Sequence, residues 1–203
     1  MAEEKQRCAW CLGDPLLRQY HDAEWGIKQL HDDRKQFEFL TLETMQCGLS
    51  WLTVLRKRAA MDAAFDHFEP ERIALYDETK LEALLRMPGI IHSPGKLRGM
   101  IGNARAFLAI QREFGSFDAW FWAFTGGRTL LCPGPMRTKT PLSERMSAEL
   151  KKRGFRYLGP VVLYSHMQAA GMVNDHEEGC FGYRSLGGVP AGAEEEGAGG
   201  DEI

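Results

Sequence analysis

Apolar side chains recur every three or four residues along most of the chain, a period typical of amphipathic helices. Capping residues and glycine stops divide this pattern into separate helical segments without an internal repeat. Helices are predicted over Asp33–Gly48 (capped by Asp32 or Asp33), 51–65, Glu71–Tyr76, Lys80–Met87 (capped by Asp77), Leu97–Phe114, Phe117–Phe124, Ser143–Gly154 and Val161–Ala170. Alternating strand runs and Asn-Gly turns are absent, so an all-α fold without a sheet is predicted.

The chain of 203 residues suits one domain, or two closely packed ones. We predict that residues 1–184 form a single domain of two packed helical subdomains. Residues 185–203 contain acidic residues and glycines but no basic residue, which is typical of a disordered acidic tail. The Pro- and Gly-rich stretch 126–141 is predicted to be a loop.

The net charge of −3 hides a basic folded part. Without residues 185–203, 25 basic residues stand against 23 acidic ones. The basic residues cluster at 56–58 and again between Arg128 and Arg156, which favours a surface that faces phosphates. A solvated helix end is an equally good interpretation of 151–153, because cations stabilise helix C-termini.

Neither a charged-then-apolar leader nor a run of about 18 apolar residues is present, so no signal peptide and no membrane span are predicted. Five cysteines is an odd number, and a chain with 44% hydrophobic residues can build a core without disulfides. The sequence therefore predicts a cytoplasmic protein whose thiols act as ligands. We expect a monomer without an obligate protein partner.

Two pairs of potential metal ligands lie near the two ends of the predicted domain. Cys8 and His21 form one pair, and His176 and Cys180 form the other as H-x-x-x-C. Two thiolates and two imidazoles suit a closed tetrahedral zinc site, and one ion bound by all four would stabilise the fold without doing chemistry. Alternatively, each is a separate buried or surface residue. Cys11 offers a competing thiol.

A glycine-containing turn, MPGIIHSPGK at 87–96, separates two predicted helices. The backbone of Gly89, Ile90 and Gly95, with Lys96 at the start of the second helix, can hold a phosphate oxygen. The turn is similar to the helix-hairpin-helix element of DNA repair proteins, and this similarity implies that these four residues bind DNA. The same pattern is also found in ordinary helix connections.

A candidate binding pocket surrounds Glu43, which lies near the apolar side of its helix, where an unpartnered carboxylate is costly. Trp51 follows close to the same face, and Tyr20 and Trp25 flank His21. A half-exposed Glu and core aromatics would be the ordinary interpretation of each residue alone. Together, a carboxylate and several aromatic faces suit a planar, cationic guest.

Several segments, in order over nearly all of residues 7–183, resemble the DNA-3-methyladenine glycosylase I family, a bacterial zinc-containing branch of the helix-hairpin-helix glycosylases. The segments are RCAW at 7–10, YHDAEWG at 20–26, LETMQCGLSWLTVLRKR at 42–58, GII at 89–91, IGNARAF at 101–107, LKKRGF at 150–155 and YSHMQAAGMVNDHEEGC at 164–180.

The resemblance implies an all-α, two-lobed helix-hairpin-helix glycosylase fold in which one structural Zn²⁺ ties the N- and C-terminal segments. It implies the zinc ligands Cys8, His21, His176 and Cys180. It also implies a base pocket of Tyr20, Trp25, Trp51 and Glu43, with Glu43 as the catalytic residue.

The implied activity is base-excision repair in the bacterial cytoplasm, by hydrolysis of the N-glycosidic bond of 3-methyladenine in double-stranded alkylated DNA after base flipping. The expected substrate breadth includes 3-methylguanine as a weaker candidate. N3-methylation charges the base, so aromatic faces and an ionised Glu43 favour it over adenine. A charged base is already a good leaving group and does not need protonation.

The sequence departs from the family pattern at several positions. Leu17 stands where a second pocket Tyr is expected, and His92-Ser93-Pro94 replaces a more basic hairpin. Bifunctional relatives carry a Lys in the hairpin. The nearest position of this chain is Ser93, so we predict that the protein does not cleave the DNA strand. Gln111 and Glu113 lie where relatives that excise harder substrates carry an Asp.

Two other classes of function remain open at this point. A zinc-stapled protein that binds lesions without cutting would keep the hairpin but would not need Glu43. A metalloenzyme would need an open coordination position, which a four-ligand site does not leave.

Overall fold

The computed structural model describes residues 5–190, and this part of the chain is mostly helical. The helices are α1 (Pro15–Ala23), α2 (Asp33–Gln46), α3 (Trp51–Ala64), α4 (Pro70–Ile73), α5 (Glu78–Arg86), α6 (Pro94–Phe114), α7 (Phe117–Ala123), α8 (Pro141–Lys152), α9 (Pro160–Ala169) and α10 (Phe181–Leu186). Two 3₁₀ turns span Ala9–Cys11 and Asp66–Phe68. The predicted predominance of helix is confirmed. Among the described residues, no helix is long and apolar enough to span a membrane.

The prediction that the chain has no sheet is wrong. Three two-residue strands, β1 (Leu130–Leu131), β2 (Val173–Asn174) and β3 (Val189–Pro190), form a parallel sheet in the order β2-β1-β3. Strands of two residues are too short to display an alternating pattern. The sheet joins three distant stretches of the chain around β1.

The helix ends follow local capping chemistry. The Asp32 carboxylate accepts a hydrogen bond from the Lys35 amide, and Asp77 accepts one from the Lys80 amide, as the sequence predicted. The cap predicted at Ser143 is one turn too late, because Thr140 is the N-cap and Ser143 is its capping-box partner. Helices α1 and α10 were not predicted.

The chain divides into two compact units. The first unit contains the described residues 5–30, 121–137 and 167–190, and the second contains His31–Trp120 and Thr138–His166. The first unit holds the small sheet. The second unit holds α2 to α6 and α8, with an aromatic core in which Phe107 stacks on Phe117 at 4.4 Å and meets the edge of Phe37 at 5.2 Å.

Helix α2 is buried on every side, not along one stripe. Every residue from Gln36 to Met45 is buried. The sequence prediction of an apolar face with Glu43 at its edge is therefore corrected, since the helix has no solvent face over these turns. Glu38 and Glu43 both lie in this buried segment, where each carboxylate needs a partner or becomes costly.

The tail predicted at 185–203 begins inside ordered structure. Ser185 and Leu186 complete α10, and Val189–Pro190 pairs with β1. These first six residues are therefore part of the fold, because their backbone groups enter a helix and a sheet. The remainder of the predicted tail, residues 191–203, lies outside the described residues.

Candidate functional site

Four metal-ligating side chains converge in the first unit. One ligand atom from each of Cys8, His21, His176 and Cys180 lies within 4.8 Å of every other, and all four residues are buried. The Cys8 Sγ is 3.4 Å from His176 Nδ1, and the Cys180 Sγ is 3.4 Å from His21 Nε2 and 3.5 Å from His176 Nδ1. Tetrahedral Zn²⁺ with ordinary bond lengths separates sulfur from nitrogen by about 3.6 Å, so the donor set fits such an ion.

Short, tightly folded segments position the two thiols. Cys8 directly precedes the 3₁₀ turn Ala9–Cys11, and Cys180 is the N-cap of α10. The amide of Glu177 donates to the Cys8 sulfur at 3.3 Å, and the amide of Gly182 donates to the Cys180 sulfur at 3.3 Å. A Cβ at Gly182 would overlap the His176 ring, so glycine is required there. Both sulfurs thus accept amide hydrogen bonds that favour the thiolate.

Each imidazole is oriented by a hydrogen bond on its other nitrogen. His21 Nδ1 donates to the Asp22 carboxylate at 2.9 Å, and Arg7 binds both oxygens of that carboxylate. His176 Nε2 donates to the Gly26 carbonyl at 3.2 Å. These bonds leave His21 Nε2 and His176 Nδ1 facing the cluster, as metal-binding histidines require.

Burial controls the protonation of the cluster. It raises the pKa of the Cys8 thiol to about 12 and lowers the pKa of His176 to about 4. At neutral pH the imidazole is therefore neutral and ready to coordinate, whereas the thiol requires a cation to lose its proton. A divalent ion supplies the field that deprotonates a coordinating thiol.

Cys11 does not belong to the cluster. Its Sγ donates to the backbone carbonyl of Cys8 at 3.1 Å. The structure therefore places Cys8, not Cys11, among the four converging ligands, in agreement with the sequence resemblance.

Aromatic side chains surround this cluster. Trp25 stacks on the His21 ring at 5.9 Å and meets His176 edge-on at 4.6 Å. Trp10 packs edge-on against Trp25 at 5.0 Å and lies 6.5 Å from the Tyr20 ring. Trp10 was missed by the sequence analysis, although its position two residues after Cys8 pointed to it. The cluster and Tyr20–Trp25 therefore form one packed body.

The Glu43 carboxyl is buried in α2 and only 5% exposed. Within residues 5–190 its side chain makes no hydrogen bond and no ion pair. Desolvation raises its pKa to about 8, so it is mostly protonated at neutral pH in the free protein. This corrects the sequence expectation of an already ionised Glu43.

Glu38 shows how the same helix treats a structural carboxylate. Its side chain is equally buried, but it binds Arg58 at 2.7 Å and Lys35 at 2.9 Å. Burial of Glu43 without such partners is therefore specific to that position. Buried polar groups without hydrogen-bond or ion-pair partners destabilise the fold, so those that are retained cluster at functional sites.

The four residues predicted to form the base pocket are divided between the two units. Tyr20 and Trp25 are buried in the first unit, and Glu43 belongs to the second. Trp51, also in the second unit, is half-buried as the first residue of α3, after the cap Ser50. The assignment of these four residues to one pocket stays a prediction.

The hairpin lies between α5 and α6 as expected. Gly89 adopts φ +87°, which favours glycine, and Ile90 is buried beneath the turn. The Lys57 ammonium donates to the carbonyls of Gly89 and Ile90 at 3.2 Å, and His92 Nε2 donates to the Met87 carbonyl. The turn is thus held from its carbonyl side.

Lys96 has a partner that the sequence did not predict. Its ammonium donates to the carbonyls of Met45 at 2.9 Å and Cys47 at 2.5 Å, at the C-terminal end of α2. A cation there satisfies carbonyls that the helix leaves open. Lys96 thus stabilises the C-terminal end of α2. Its contribution to DNA binding stays a prediction, as does that of Gly89, Ile90 and Gly95.

Much of the basic surface predicted from sequence is locally neutralised. Arg58 binds Glu38, Lys139 binds Glu144, Lys152 binds Glu149 and Arg153 binds Glu113. In the loop before α8, Arg137 donates to the Pro133 carbonyl. Charge counts along the sequence therefore overstate the cationic surface, because they cannot show which cations already have carboxylate partners.

The residues near the position where relatives carry an acid–base Asp have hydrogen-bond or ion-pair partners. Gln111 donates to the Asp33 carboxylate at 2.7 Å, and the Glu113 carboxylate binds the Arg153 guanidinium. Asp33 in addition accepts hydrogen bonds from the amides of Phe117 and Asp118 at the start of α7. These groups have structural partners, which agrees with the absence of a dedicated acid–base pair in the sequence.

The fold is that of a base-excising DNA repair glycosylase. The chain is similar to the crystal structure of a 3-methyladenine DNA glycosylase I, with a TM-score of 0.83 and 46% identity over 87% of this chain and 98% of that one. A Staphylococcus aureus 3-methyladenine DNA glycosylase I, studied for its recognition of 3-methyladenine, matches with a TM-score of 0.83 and 34% identity over 87% and 95% of the two chains.

Sequence comparison identifies the family itself. The methyladenine glycosylase family model matches residues 10–183. DNA-3-methyladenine glycosylase 1 of Escherichia coli is 42% identical over 184 residues, which cover 88% of this chain and 97% of that protein. The chain belongs to the methyladenine glycosylase family.

Proposed function

We propose that this chain is a monofunctional DNA glycosylase of base-excision repair that hydrolyses the N-glycosidic bond of 3-methyladenine in double-stranded alkylated DNA. 3-Methylguanine is a weaker candidate substrate. Because a base inside a duplex is out of reach, the nucleotide must be extruded before hydrolysis. Family membership supports the reaction class, and the Glu43 site supports the choice of a cationic base.

The observation that carries this proposal is the unpartnered carboxyl of Glu43. A buried carboxylate without a partner destabilises the folded protein unless a ligand compensates for it. A base that carries positive charge favours the ionised form of Glu43, which can accept a hydrogen bond from the exocyclic amino group. Neutral adenine lacks this charge, so it gains less from the same carboxyl.

The proposed hydrolysis requires little acid–base catalysis by the protein. A cationic base leaves without being protonated, and water then attacks the oxocarbenium-like sugar. Gln111 and Glu113 are held by Asp33 and Arg153, so neither is offered as a general base. Discrimination is proposed to come from the pocket, where Tyr20, Trp25 and Trp51 provide aromatic faces for the charged base.

We further propose that Cys8, His21, His176 and Cys180 hold one structural Zn²⁺. When bound, the ion supplies cross-linking and no chemistry, because four protein ligands leave no open coordination position. The residues tie segment 5–30 to segment 167–190 of the first unit, which contains Tyr20 and Trp25. The metal is thus proposed to stabilise the body that carries two of the pocket aromatics.

Asp22→Asn is expected to weaken zinc binding by about 10–100-fold, because the carboxylate that orients His21 and raises its basicity is lost. Competition with a chromophoric chelator measures the affinity. Asp118→Asn is the matched control, since Asp118 binds His31 at 3.1 Å but neither residue belongs to the cluster. Equal zinc affinities in both variants would remove the orienting role of Asp22.

Release of free base from methylated duplex DNA tests the proposed reaction. The wild-type protein, with its zinc content verified, is expected to release 3-methyladenine and to leave the strand uncut. Chromatography of the soluble products identifies the base, and a denaturing gel reports strand cleavage. If a zinc-loaded protein that binds the DNA releases no base, the proposed activity is refuted and lesion binding without catalysis becomes the better explanation.

A further inference from the structure

A cavity of 460 Å³ in the second unit is lined by three arginines, Arg98, Arg105 and Arg156. Arg98 and Arg105 lie on α6, two turns apart on one face of the helix. Arg156 comes from the loop that follows α8, defined here as Gly154–Leu158. The cavity wall also contains Gly102 and Gly154, which have no side chains to fill it.

The positive charge of this cavity is only partly compensated. Arg98 binds Glu78 at 3.0 Å, and Asp77, the other acidic residue of the wall, caps α5 by accepting from the Lys80 amide. Arg105 donates to the carbonyls of Ala74 at 2.8 Å and Tyr76 at 3.4 Å, which carry no net charge.

All three arginines are exposed, and Arg156 is the one whose side chain has no partner among the described residues. In the part of the chain that the structure describes, its guanidinium has neither a hydrogen bond nor an ion pair, although its backbone is firmly held. Three guanidiniums facing one space with two carboxylates leave an excess of positive charge, which favours an anionic ligand.

The loop that presents Arg156 is fixed to α6 at two points. The buried Asn103 side chain donates to the Arg156 carbonyl at 3.0 Å and accepts from the Arg156 amide at 2.7 Å. Tyr157, at φ +64°, lies across Gly95 and Gly99, where a Cβ on either glycine would overlap its side chain. The Arg156 backbone is therefore preorganised, while its side chain is left to face the cavity.

We propose that this cavity binds a phosphate group of the DNA backbone, with Arg156 and Arg105 as its cationic ligands. Guanidinium groups suit this ligand because their planar set of donors matches the oxygens of a phosphate. The site would add a contact beyond the hairpin turn, on the same helix α6 that follows that turn. The inference rests on the proposed function, since it takes duplex DNA as the source of the phosphate.

The test is the salt dependence of binding to an unmodified DNA duplex, measured by fluorescence anisotropy for zinc-loaded protein. Arg156→Gln removes a side chain without protein partners and should leave thermal stability unchanged. We expect it to lower the slope of log K against log salt by about 0.9, the value for one lost phosphate contact, and to weaken binding uniformly across sequences. Lys152→Gln removes the same charge from a nearby exposed residue already paired with Glu149, and should leave the slope unchanged.

Three outcomes overturn the inference. The slope for Arg156→Gln can equal that of the wild type, or the two variants can lower it equally, which would indicate loss of net charge and not of a contact. The third outcome is saturable binding of inorganic phosphate, lost in Arg156→Gln, with no change in the DNA slope; the source would then be free phosphate. Base release by the wild type is assayed separately, so failure of this site and failure of the proposed activity are distinguishable.

Discussion

Glu43→Gln is expected to lower the rate of base release from alkylated DNA by on the order of 10–100-fold while making the free protein more stable. A hydrogen bond to a charged group is worth about 1.5–3 kcal/mol, and each 1.36 kcal/mol is a factor of ten in rate. The amide of Gln is nearly isosteric but carries no charge, so it loses the electrostatic preference for a cationic base. Single-turnover release of 3-methyladenine, with zinc content confirmed, measures the loss.

The stability change follows from the raised pKa of Glu43, which is about 8 in the folded protein against an ordinary value of 4.5. Between these values the folded state holds a proton that the unfolded state has lost, so the free energy of unfolding of the wild type falls as pH rises. At pH 7 this cost is about 3 kcal/mol, at 1.36 kcal/mol per pKa unit. Glu43→Gln removes the cost, and its advantage should vanish near pH 4.

The same titration predicts the pH dependence of activity. Only the ionised carboxyl attracts the charged base, so kcat/KM of the wild type should rise by about tenfold per pH unit up to about pH 8. The Glu43→Gln variant lacks this group and should show no rise from it. Activity measured from pH 6 to pH 9 at constant ionic strength separates this effect from the salt dependence of DNA binding.

Glu38→Gln is the matched control, a buried glutamate on the same helix that binds Arg58 and Lys35. Its replacement removes a satisfied carboxylate from two cations and should destabilise the protein. Urea unfolding of both variants at pH 5 and pH 8 provides the comparison. A Glu43→Gln protein that is less stable than the wild type at pH 8 would show that the carboxyl has a structural partner, and the proposed pocket would lose its main support.

The parts of the fold that the sequence predicted are those specified by local chemistry. The N-caps Asp32 and Asp77 fix the start of α2 and α5 through their own hydrogen bonds, which a single sequence displays. The parallel sheet was not predictable in this way. Each of its strands is two residues long, and β1 acquires its partners from segments about 40 and 60 residues away. Such pairings are decided by tertiary packing and leave no local pattern.

The candidate site shows the same division. The convergence of Cys8, His21, His176 and Cys180 was predictable because only a few residue types bind zinc, and these four are among them. The environment of Glu43 was not, because an apolar neighbour three residues away is equally compatible with a half-exposed stripe. Only the structure shows that α2 is buried on all sides. Lys96 illustrates the limit for charges, since its carbonyl partners lie about 50 residues away in the chain.

Removal of the metal is expected to unfold the first unit. The apparent binding free energy of structural zinc is about 10–16 kcal/mol. The free energy of unfolding of a typical domain is about 5–15 kcal/mol, so loss of the metal can outweigh it. Because the four clustered side chains come from segments 5–30 and 167–190, loss of the proposed metal would free both ends of that unit together. Treatment with a strong chelator should therefore shift the tryptophan fluorescence toward that of exposed side chains. Trp10 packs on the His21 ring and Trp25 on the His176 ring, so both report the loss of this packing.

Cys8→Ser and Cys11→Ser form a matched pair that separates loss of the metal from loss of a buried thiol. Both cysteines are fully buried, but only Cys8 belongs to the cluster, whereas Cys11 donates a single hydrogen bond to the Cys8 carbonyl. We expect Cys8→Ser to lose zinc and the thermal transition of the first unit. We expect Cys11→Ser to retain stoichiometric zinc, with a free energy of unfolding lower by only about 1 kcal/mol. A Cys8→Ser protein that binds zinc stoichiometrically and unfolds at the wild-type temperature would mean that the four side chains pack as neutral core groups, and the metal would have no part in holding the two segments together.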